Sequence, residues 1–442
     1  MTSLRFFHAA DLHLDTPFKG LESQTPHMAA MLHESTFTAL NRLAEACIAR
    51  KADFLLIAGD IYNHEEGSLK AQFALRDACK KLDDAGIGVF IVHGNHDFAG
   101  SRISRMQWPD NVTIFDTGTV QTVSAVRDNT EIAVIHGISH ATQNERANLA
   151  RRFKRDETRA ALPQIGLLHC TIASVAKADR YAPCSVEDLA SVGLDYWALG
   201  HVHERQTVSR TPLTVYPGNI QGLHINESGP RGCYEVNYSE AEGFTLTFHQ
   251  LGPVLWQHLN VSIDGVDTLD GLEAHIHDAI SQCCAQAGAQ QDADALADVT
   301  ALMLRLELTG RGQLNQPLHA EGGTADLTER LRESWNDARP AVWIKDILLS
   351  CRPEADIEAL RNGDDLLGET LRRISAARAA LDGASQEEAA AEAVMDDLAN
   401  GPLAPLFTNQ QAKRLLDAPD ADYLRELLDT VELTCLELLE AR

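Results

Sequence analysis

The sequence predicts an α/β protein in three parts, which cover residues 1–250, 251–350 and 351–442. Three observations support this division. In the first part, short apolar segments that end in polar clusters alternate with helical patterns, which is typical of a layered α/β domain. Arg231 is the last basic residue of this part, and no lysine or arginine follows until Arg305. In the third part the pattern is helical throughout.

The strands predicted for the first part are short runs of apolar residues, many of them β-branched or aromatic. They lie in the segments RFFHAADLH, FLLIAGDIY, VFIVHGNHD, IAVIHGIS, IGLLHC, YWALGHVH and TVYPGNIQG. Helical patterns over Met28–Ala49 and Leu69–Asp84 separate the first three strands. Ligands of open α/β sheets lie beyond the carboxyl ends of the strands. We therefore expect the polar clusters to face one site.

The second part has the pattern of a small α+β domain. Its predicted elements, in order, are the strand Val254–Ile263, the helix Leu269–Ala287, the strand Ala301–Leu308, the helix Ala325–Asp337 and the strand Ala341–Leu349.

The third part ends in a stripe of apolar residues with the 4-3-4-3 spacing of coiled-coil helices. The residues of this stripe are Leu424, Leu428, Val431, Cys435 and Leu438. Such a stripe more often packs within its own chain. The Ala/Glu-rich segment before it favours a second interpretation, in which the stripe binds another protein.

The charge is unevenly distributed along the chain. Residues 1–250 contain 23 basic and 29 acidic residues, whereas residues 251–442 contain 15 and 35. The net charge of −26 would normally argue against a polyanionic partner. A near-neutral first part can still carry a local basic face, so these numbers leave nucleic acid open as a partner of that part only.

The composition also predicts the compartment. No apolar run approaches the ~18 residues of a membrane span, so we expect no membrane segment. The N-terminal residues lack the apolar core and cleavage site of a secretion signal. The nine cysteines include no C-x-x-C pair, which favours reduced thiols and a cytoplasmic protein.

Seven side chains at or just after strand ends have the chemistry of metal ligands. They are Asp11, His13, Asp60, Asn95, His169, His201 and His203. In Asp11-x-His13 and His201-x-His203, alternate residues would point to one side of an extended segment. Oxygen and imidazole ligands without thiolates suit Mn²⁺, Fe²⁺, Zn²⁺ or Mg²⁺. Seven ligands are too many for one tetrahedral ion and favour two ions about 3.5–4 Å apart that share a carboxylate.

The order D-x-H, G-D, G-N-H-D, H and G-H-x-H resembles the signature of the calcineurin-like metallophosphoesterases. Within that superfamily, HAADLHLDTPF, AGDIYN, LLHC and YPGNIQGLHINESGPRGCYEV resemble the bacterial DNA repair exonucleases of the SbcD and YhaO type, and the YhaO type is the closer. The resemblance covers residues 1–240 in detail and the rest in outline. It implies a calcineurin-like two-sheet sandwich flanked by helices, then a small α+β capping domain and a helical C-terminal region.

The resemblance also implies how the ligands are shared between two ions, for which we expect Mn²⁺ first. The first ion would bind Asp11, His13, Asp60 and His203. The second ion would bind Asp60, Asn95, His169 and His201. Two cations would activate a shared water for attack on a phosphodiester. His96 would lie beside them and would stabilise or protonate the leaving sugar oxygen.

One position departs from the family pattern. Asn63 stands three residues after Asp60, where related phosphatases usually have an aspartate and nucleases often have a histidine. Asn63 cannot act as a charged group, although His64 is adjacent. This departure concerns the nuclease mode and leaves the metal site itself intact.

Several other residues have two interpretations. His169 is either a ligand or a core histidine, and we favour the ligand. His93 and His136 are expected to form hydrogen bonds within the shell or the core. His8 and His224 are either supports for ligands or ordinary core and surface residues.

The segment NERANLARRFKRDETR is the densest basic run, and its Arg151, Arg152, Lys154 and Arg155 are candidates for contact with DNA phosphates. A solvated helix face is an equally good interpretation. Pro217, Gly218 and Asn219 are expected to shape a turn beside the site, and a direct contact of this turn with DNA stays open.

The favoured function is metal-dependent hydrolysis of DNA phosphodiesters by a repair nuclease. The resemblance implies an SMC-like coiled-coil ATPase partner docked on the helical region, and also a homodimer. The sequence contains no G-x-x-x-x-G-K-[ST], so ATP hydrolysis would have to come from the partner. Two alternatives remain: a phosphoesterase for small phosphodiesters or monoesters, and a DNA-end-binding scaffold with little hydrolysis.

Overall fold

The computed structural model describes residues 3–16, 26–63, 68–99, 106–172, 181–289, 298–336, 338–354, 357–382, 428–432 and 435–436. The strands in these ranges are β1 (Ser3–Ala9), β2 (Phe54–Ala58), β3 (Gly88–Val92), β4 (Val112–Ile114), β5 (Gln121–Arg127), β6 (Thr130–Ile138), β7 (Gln164–His169), β8 (Tyr196–Gly200), β9 (Gln206–Arg210), β10 (Leu213–Tyr216), β11 (Gly232–Ser239), β12 (Gly243–Gln250), β13 (Val254–Ser262), β14 (Ala301–Thr309) and β15 (Ala341–Leu349). The α-helices are α1 (Pro26–Ala49), α2 (Leu69–Asp84), α3 (Val186–Ser191), α4 (Leu269–Ala289), α5 (Asn315–His319), α6 (Gly323–Ser334), α7 (Ile357–Arg361) and α8 (Leu366–Asp382). Every strand and helix predicted for residues 1–350 is present, with shifts of a few residues at some ends.

Two six-stranded sheets face each other in the region before residue 251. The first has the order β12-β11-β1-β2-β3-β4, and the second has the order β5-β6-β7-β8-β10-β9. Strands β1, β2, β3 and β4 run parallel, and so do β6, β7, β8 and β10. This arrangement confirms the predicted sandwich and places the carboxyl ends of these parallel strands at the loops that carry the candidate ligands.

The first sheet is covered on both faces, which explains why its central strand is apolar at every position. In β2, Leu55 and Ile57 join a cluster with α1 and α2, while Phe54 and Leu56 point into the core between the two sheets. In that core Phe6 stacks on Phe54 with ring centroids 4.9 Å apart. Buried packing on both sides thus fixes the register of the strands that lead into the site.

The strands β13, β14 and β15 form a third, fully parallel sheet. Hydrogen bonds tie it to the loop before β11: Trp256 donates its indole N–H to Gly222 O at 2.8 Å, and His258 lies 3.1 Å from Ile225 O. Trp256 also packs in an apolar cluster with Met28 and Leu32 of α1. This third sheet therefore supports a loop that, as described below, contacts the candidate site.

Residues 357–382 are mostly helical, and a further helical stretch follows at 428–432 and 435–436. Leu436 is buried in a cluster with Leu367 and Leu371 of α8, and Arg378 forms ion pairs with Asp429 and Glu432 at 2.5 Å. Of the predicted stripe, Leu428 is buried and Cys435 packs against this cluster. Leu424 and Leu438 lie outside the described residues.

The chain divides into two compact units. One comprises Met1–Gly310 with Gln316–Cys351, and the other comprises Arg311–Asn315 with Arg352–Arg442. The boundary predicted at residue 250 stays a prediction, because residues on both sides of it belong to the first unit. Among the described residues, no helix combines the length and the apolar character that crossing a membrane requires.

Candidate metal centre

The candidate ligands gather in two groups. The first ligand group consists of Asp11, His13 and His203, and the second ligand group consists of Asp60, His169 and His201. Within each group, one ligand atom from each residue lies within 4.8 Å of the others. Asn95, which the metal-ligand prediction also includes, lies beside the second group with its Oδ1 3.0 Å from His169 Nε2.

Backbone hydrogen bonds hold the loops after β1 and β2 side by side. Asp11 donates its N–H to Gly59 O, and His13 donates its N–H to Asp60 O, both at 3.0 Å. The carboxylate of Asp11 accepts the N–H of His201 at 3.0 and 3.1 Å. The loops after β1, β2 and β8 are therefore connected before any ion is considered.

The extended geometry predicted for the D-x-H and H-x-H pairs is wrong. β1 ends at Ala9, and Asp11 and His13 have φ values of 51° and 42°, in the left-handed region. His201 also has a positive φ, of 104°. Because loop conformation and not strand alternation directs these side chains, His201 and His203 fall into different ligand groups.

The imidazoles of the first ligand group point unprotonated nitrogens at one another. His13 donates its Nδ1–H to Asn63 Oδ1 at 2.9 Å, and His203 donates its Nδ1–H to Glu227 Oε1 at 2.6 Å. A neutral imidazole protonated on Nδ1 carries a lone pair on Nε2. The two Nε2 atoms are 3.0 Å apart, so their lone pairs repel unless a cation or a proton lies between them.

The second ligand group has a similar arrangement. His169, which is fully buried, donates its Nδ1–H to Ala58 O at 2.8 Å. Its Nε2 then faces Asp60 Oδ2 at 3.3 Å and Asn95 Oδ1 at 3.0 Å. A neutral His169 would bring three ligand atoms together here, and a hydrogen bond on the far nitrogen of a histidine is the usual support of a metal ligand.

The electrostatics of the cluster favour added positive charge. Burial raises the pKa of Asp11 to about 6, although the neighbouring His169 and His203 act against this rise. Burial opposes protonation of His169, but Asp60 outweighs it and raises the pKa of His169 to about 9. For His203 burial is likewise outweighed, mainly by the bond to Glu227, and its pKa is raised. The carboxylates thus favour positive charge in this largely buried site.

The donor set fits two divalent cations. Both ligand groups offer carboxylate oxygen and imidazole nitrogen, with neither containing a thiolate, which is the ligand chemistry of Mn²⁺, Fe²⁺, Zn²⁺ and Mg²⁺. The chain therefore has two candidate metal sites, which lie next to each other because Asp11 of the first group bonds His201 of the second. The assignment of each of the seven residues as a ligand stays a prediction.

Asp97 organises the loop after β3, and the sequence analysis overlooked this residue. Its fully buried carboxylate accepts backbone N–H groups from Asp60, Ile61 and Gly94 at 3.2, 3.0 and 2.6 Å. It also accepts from His93 Nδ1 at 3.2 Å, so His93 has the supporting role that was predicted for it. The signal that could have identified Asp97 is its place in the G-N-H-D motif.

His96 lies at the centre's edge. Its backbone N–H donates to Asp60 Oδ1 at 2.8 Å, and its half-buried ring meets the ring of His13 edge-on at a centroid distance of 5.2 Å. Asn63 orients His13, as described above, and also donates its side-chain N–H to Thr16 Oγ1 at 2.7 Å. The departure at Asn63 thus changes the support of a candidate ligand. His64 lies outside the described residues.

The segment before β11 supports His203, and its key residue was also overlooked. Glu227 is 6% exposed and, besides His203, accepts from Asn219 Nδ2 at 2.8 Å and from Leu223 N at 2.7 Å. Burial opposes its ionisation, but the bond from His203 outweighs this and lowers the pKa of Glu227 to about 2. Pro217, Gly218 and Asn219 lie beside the site, with a positive φ of 78° at Gly218 and a bond from Asn219 N–H to His203 O at 3.3 Å; the turn predicted for them stays a prediction.

The remaining histidines have ordinary surroundings. His8 is fully buried between Tyr196 OH and Leu199 O, both 3.1 Å away, and burial lowers its pKa to about 3. His136 bonds Thr122 and Gln164 in the core, as predicted. The His224 side chain is 58% exposed and lies 3.3 Å from Glu227, at the rim of the first ligand group.

The basic run lies around a short 3₁₀ turn, Ala150–Arg152. Three of its four candidate DNA contacts bind groups of the chain itself: Arg151 pairs with Asp188 at 2.8 Å, Arg155 pairs with Asp195 at 3.0 Å, and Arg152 donates to a backbone carbonyl. Lys154 is exposed. These pairings use part of the positive charge locally, and contact of the run with DNA stays a prediction.

Comparison with protein-family models gives two matches. The model described as calcineurin-like phosphoesterase matches residues 4–205, which contain all seven candidate ligands and His96. The model described as the middle domain of metallophosphoesterase YhaO matches residues 256–352, which contain the third sheet.

Comparison with individual proteins gives relatives of two kinds. The chain is 36% identical over 283 residues to the uncharacterized metallophosphoesterase YhaO of Bacillus subtilis, a match that covers 64% of this chain and 69% of that protein. It is 27% identical over 253 residues to the DNA double-strand break repair protein Mre11 of Methanocaldococcus jannaschii, covering 55% and 62%. It is 22% identical over 259 residues to a subunit of the nuclease SbcCD of Escherichia coli, covering 51% and 62%.

Proposed function

This chain belongs to the calcineurin-like phosphoesterase family, and we propose that within the family it is a metal-dependent hydrolase of DNA phosphodiesters that acts in DNA repair. The proposal rests above all on the convergence of imidazole and carboxylate lone pairs in two adjacent buried groups. His13 Nε2 and His203 Nε2, 3.0 Å apart, are the clearest case. Two Nε2 atoms at this distance share either a proton or a cation, because both rings already engage an acceptor through Nδ1, Asn63 for His13 and Glu227 for His203.

The seven predicted ligands would hold two divalent cations, and Mn²⁺ is the one we would test first. Such a pair of ions neutralises phosphate oxygens and makes water nucleophilic near neutral pH. The family resemblance implies that Asp60 would contribute to both sites. Its Oδ2 lies 3.3 Å from His169 Nε2, and its backbone carbonyl accepts the N–H of His13 at 3.0 Å, so its loop is joined to the first ligand group. The protein's own part is to keep these ligands in place before substrate arrives.

His96 is the residue we assign to the leaving group. Its backbone is fixed to Asp60, while its half-buried ring edge meets His13 and so borders the first ligand group. A side chain in this place can reach a phosphodiester held by the ligand groups. It would donate a proton to the departing sugar oxygen, a contribution of about 10²–10⁴-fold in rate.

Two observations favour DNA over a small substrate. The relatives include proteins named for double-strand break repair and for a nuclease. In addition, the third sheet supports the Glu227 loop through the bonds of Trp256 and His258, so the middle region takes part in shaping the first ligand group. A phosphoesterase for small diesters has no evident need for such an added support.

A direct assay tests this function. We expect the metal-free protein to gain hydrolysis of end-labelled DNA on addition of Mn²⁺ and to lose it on chelation. Asp60→Ala should abolish the reaction, and His96→Ala should slow it by about 10²–10⁴-fold. His275→Ala, which removes an exposed imidazole on α4, is the matched control and should leave the rate unchanged.

The same assay separates the alternatives. A chromogenic small diester is tested beside the DNA substrate. Hydrolysis of the small diester alone would overturn the DNA proposal in favour of a small-substrate phosphoesterase. DNA binding without cleavage, with or without an ATPase, would favour the scaffold.

A coiled-coil ATPase partner is part of the proposal, with residues 351–442 as its dock. One relative is named as a subunit of a larger nuclease. The described helices of this region already pack on one another through Leu367, Leu371 and Leu436, so a partner would meet a folded surface. Cross-linking of the complex purified from its native host should join an ATPase to these residues, and cross-links confined to residues 1–250 would contradict the dock.

The homodimer also stays a prediction, and α2 offers a place to test it. Leu69 and Phe73 lie one helical turn apart and are 54% and 46% exposed. We expect Phe73→Glu to convert a dimer to a monomer in light scattering. Val126→Glu, at an equally exposed valine of β5, is the control. A wild-type protein that is monomeric at all concentrations would contradict the dimer.

A further inference from the structure

We propose that His140 is a positioning residue for the second ligand group, a role that nothing above assigns to it. This inference deepens the proposed metal centre and rests on it. The ring of His140 donates its Nε2–H to the backbone carbonyl of His169 at 2.7 Å, and the two rings meet edge to face at 5.4 Å. His140 directly follows the predicted strand segment IAVIHGIS, but nothing in the sequence indicates its contact with His169.

The bond from His140 completes a two-point attachment of His169. At one point His169 Nδ1 is held by Ala58 O at 2.8 Å. At the other, its own carbonyl is held by His140. With both the ring and the backbone fixed, His169 Nε2 is left facing Asp60 and Asn95. A ligand held at two points loses less freedom when it binds an ion.

The backbone of His140 attaches the other ligand-bearing loop. His140 N–H bonds His93 O at 3.0 Å, and Ala99 N–H bonds His140 O at 3.2 Å. These two bonds bracket the segment that carries Asn95 and His96. A single residue thus joins the loop after β3 by its backbone and the end of β7 by its side chain, so the two move as one body.

The burial of His140 argues for a role beyond packing. His140 is fully buried, yet its Nδ1 has no hydrogen-bond partner among the described residues. The comparable core residue His136, 1% exposed, has partners for both ring nitrogens, Thr122 and Gln164. An unpaired buried nitrogen costs stability. His140 carries this cost in stability while its Nε2–H donates to His169, which favours a role in positioning the second ligand group.

The experiment compares two amide side chains at this position. In His140→Gln the amide N–H can reach the place of Nε2 and replace the bond to His169. In His140→Asn the shorter side chain places its amide near Nδ1 and cannot. Each variant, together with His136→Asn as the matched control, is titrated with Mn²⁺ by calorimetry after its fold is checked by circular dichroism.

We expect the wild-type protein to bind two Mn²⁺ ions. His140→Asn should lower the affinity for one of them by about 10–100-fold, the usual effect of losing a residue that supports a metal ligand. His140→Gln should retain most of the affinity, and His136→Asn should lower only thermal stability. Electron paramagnetic resonance of the half-loaded His140→Asn protein should then show a single uncoupled Mn²⁺.

Two results would overturn the inference. One is wild-type affinity for both ions in His140→Asn. The other is an equal loss in His140→Asn, His140→Gln and His136→Asn, which would reflect general destabilisation. Failure of the wild-type protein to bind any Mn²⁺ would instead refute the metal centre itself, so the two failures are distinguishable.

Discussion

The two ligand groups use the same residue types but are supported in different ways. In the first, the supporting acceptors are side chains, Asn63 for His13 and Glu227 for His203. In the second, the acceptor for His169 is the backbone carbonyl of Ala58, inside the sheet. Burial does not distinguish the groups, since each contains two buried residues and one partly exposed histidine.

Because of this difference in support, we expect substitutions to affect the two ligand groups differently. A carbonyl at the end of β2 cannot change without moving the strand, so the second ligand group is tied to the stability of the sandwich. Asn63 and Glu227 lie on loops and can be replaced with little effect on the sheets. We therefore expect variants of the second group to lose stability and metal together, and variants of the first group to lose metal alone.

The largest effect should come from the residue expected to serve both groups. Asp60→Asn keeps an acceptor for the N–H of His96 but removes the charge. Taking one partner from a buried charged cluster costs on the order of 3–5 kcal/mol, or about 10²–10⁴-fold in affinity. Calorimetric titration with Mn²⁺ should show a lower affinity for both ions.

Asp53→Asn is the control for this variant. Asp53 precedes β2 as Asp60 follows it, and its carboxylate pairs with Arg127 at 2.9 Å, at the other end of the strand. We expect its metal binding to match the wild type. If Asp60→Asn weakened the binding of only one ion, the two groups would be independent, and Asp60 would not be a ligand that they share.

The next effect tests the backbone support of the second group. A Cβ at Gly200 would overlap Ala58 O and approach His169 Nδ1 to 3.0 Å, the two partners of one hydrogen bond. Gly200→Ala should therefore lower the free energy of unfolding by about 1–3 kcal/mol. It should also lower the affinity for one Mn²⁺ by about 10–100-fold. Chemical denaturation measures the first effect, and calorimetry on the same sample measures the second.

Gly88→Ala provides the matched glycine. Gly88 begins β3, and a Cβ there would meet Phe90 and Phe54 at ordinary contact distances of 3.5 Å or more. Its metal binding should be unchanged. Wild-type stability in Gly200→Ala, combined with weakened metal binding, would show that the second group is no more tied to the fold than the first.

The first group should respond without a loss of stability. Glu227→Gln places an N–H₂ group where Glu227 accepts from His203, Asn219 and Leu223. We expect one Mn²⁺ to weaken by about 10–100-fold, because His203 loses its fixed orientation. Thermal melting should change less than in Gly200→Ala.

Glu235→Gln serves as the control, since Glu235 is equally buried at 6% exposure and also pairs with a histidine, His249, at 2.8 Å. That pair lies on β11 and β12, away from both ligand groups. Equal losses of Mn²⁺ affinity in the two variants would remove the special role of Glu227.

The candidate ligands and the strands could be predicted because both leave short-range signals. β2 and β3 are apolar runs that stop at Gly59 and His93, and the helix predicted over Leu69–Asp84 has those ends in the structure. Where a strand ends in residues unsuited to a core, those residues are candidates for a functional site. The pattern of seven such ends therefore indicated a layered α/β domain with its ligands at one site, whereas the two-sheet sandwich and the sharing of ligands between two ions were implied by the family resemblance.

The supporting residues could not be predicted, because their role depends on contacts between distant segments. Glu227 meets His203 from 24 residues away, and His140 meets His169 from 29 residues away. Glu227 lies within a segment that carries the family resemblance and His140 directly follows a predicted strand, but neither position shows which ligand the residue contacts. The positive φ of Asp11 and His13 likewise follows from the bonds to Gly59 and Asp60, which only the fold brings near.

The smallest effect should appear at Asn63, the position where the chain departs from its family. Asn63→Ala removes the acceptor of His13 Nδ1 at a half-buried site, and a hydrogen bond of this kind contributes about 0.5–1.5 kcal/mol, or up to about tenfold in affinity. Asn63→Asp should act in the opposite direction, because a carboxylate is a stronger acceptor for His13. We therefore expect the two variants to shift the affinity for one Mn²⁺ ion in opposite directions.

Asn111→Ala is the control. It removes bonds to Cys79 O and Ile87 O behind the first sheet and should change the affinity for neither ion. Weakening by both Asn63 variants alike would mean that the bond to Thr16, and not the bond to His13, is what this asparagine provides.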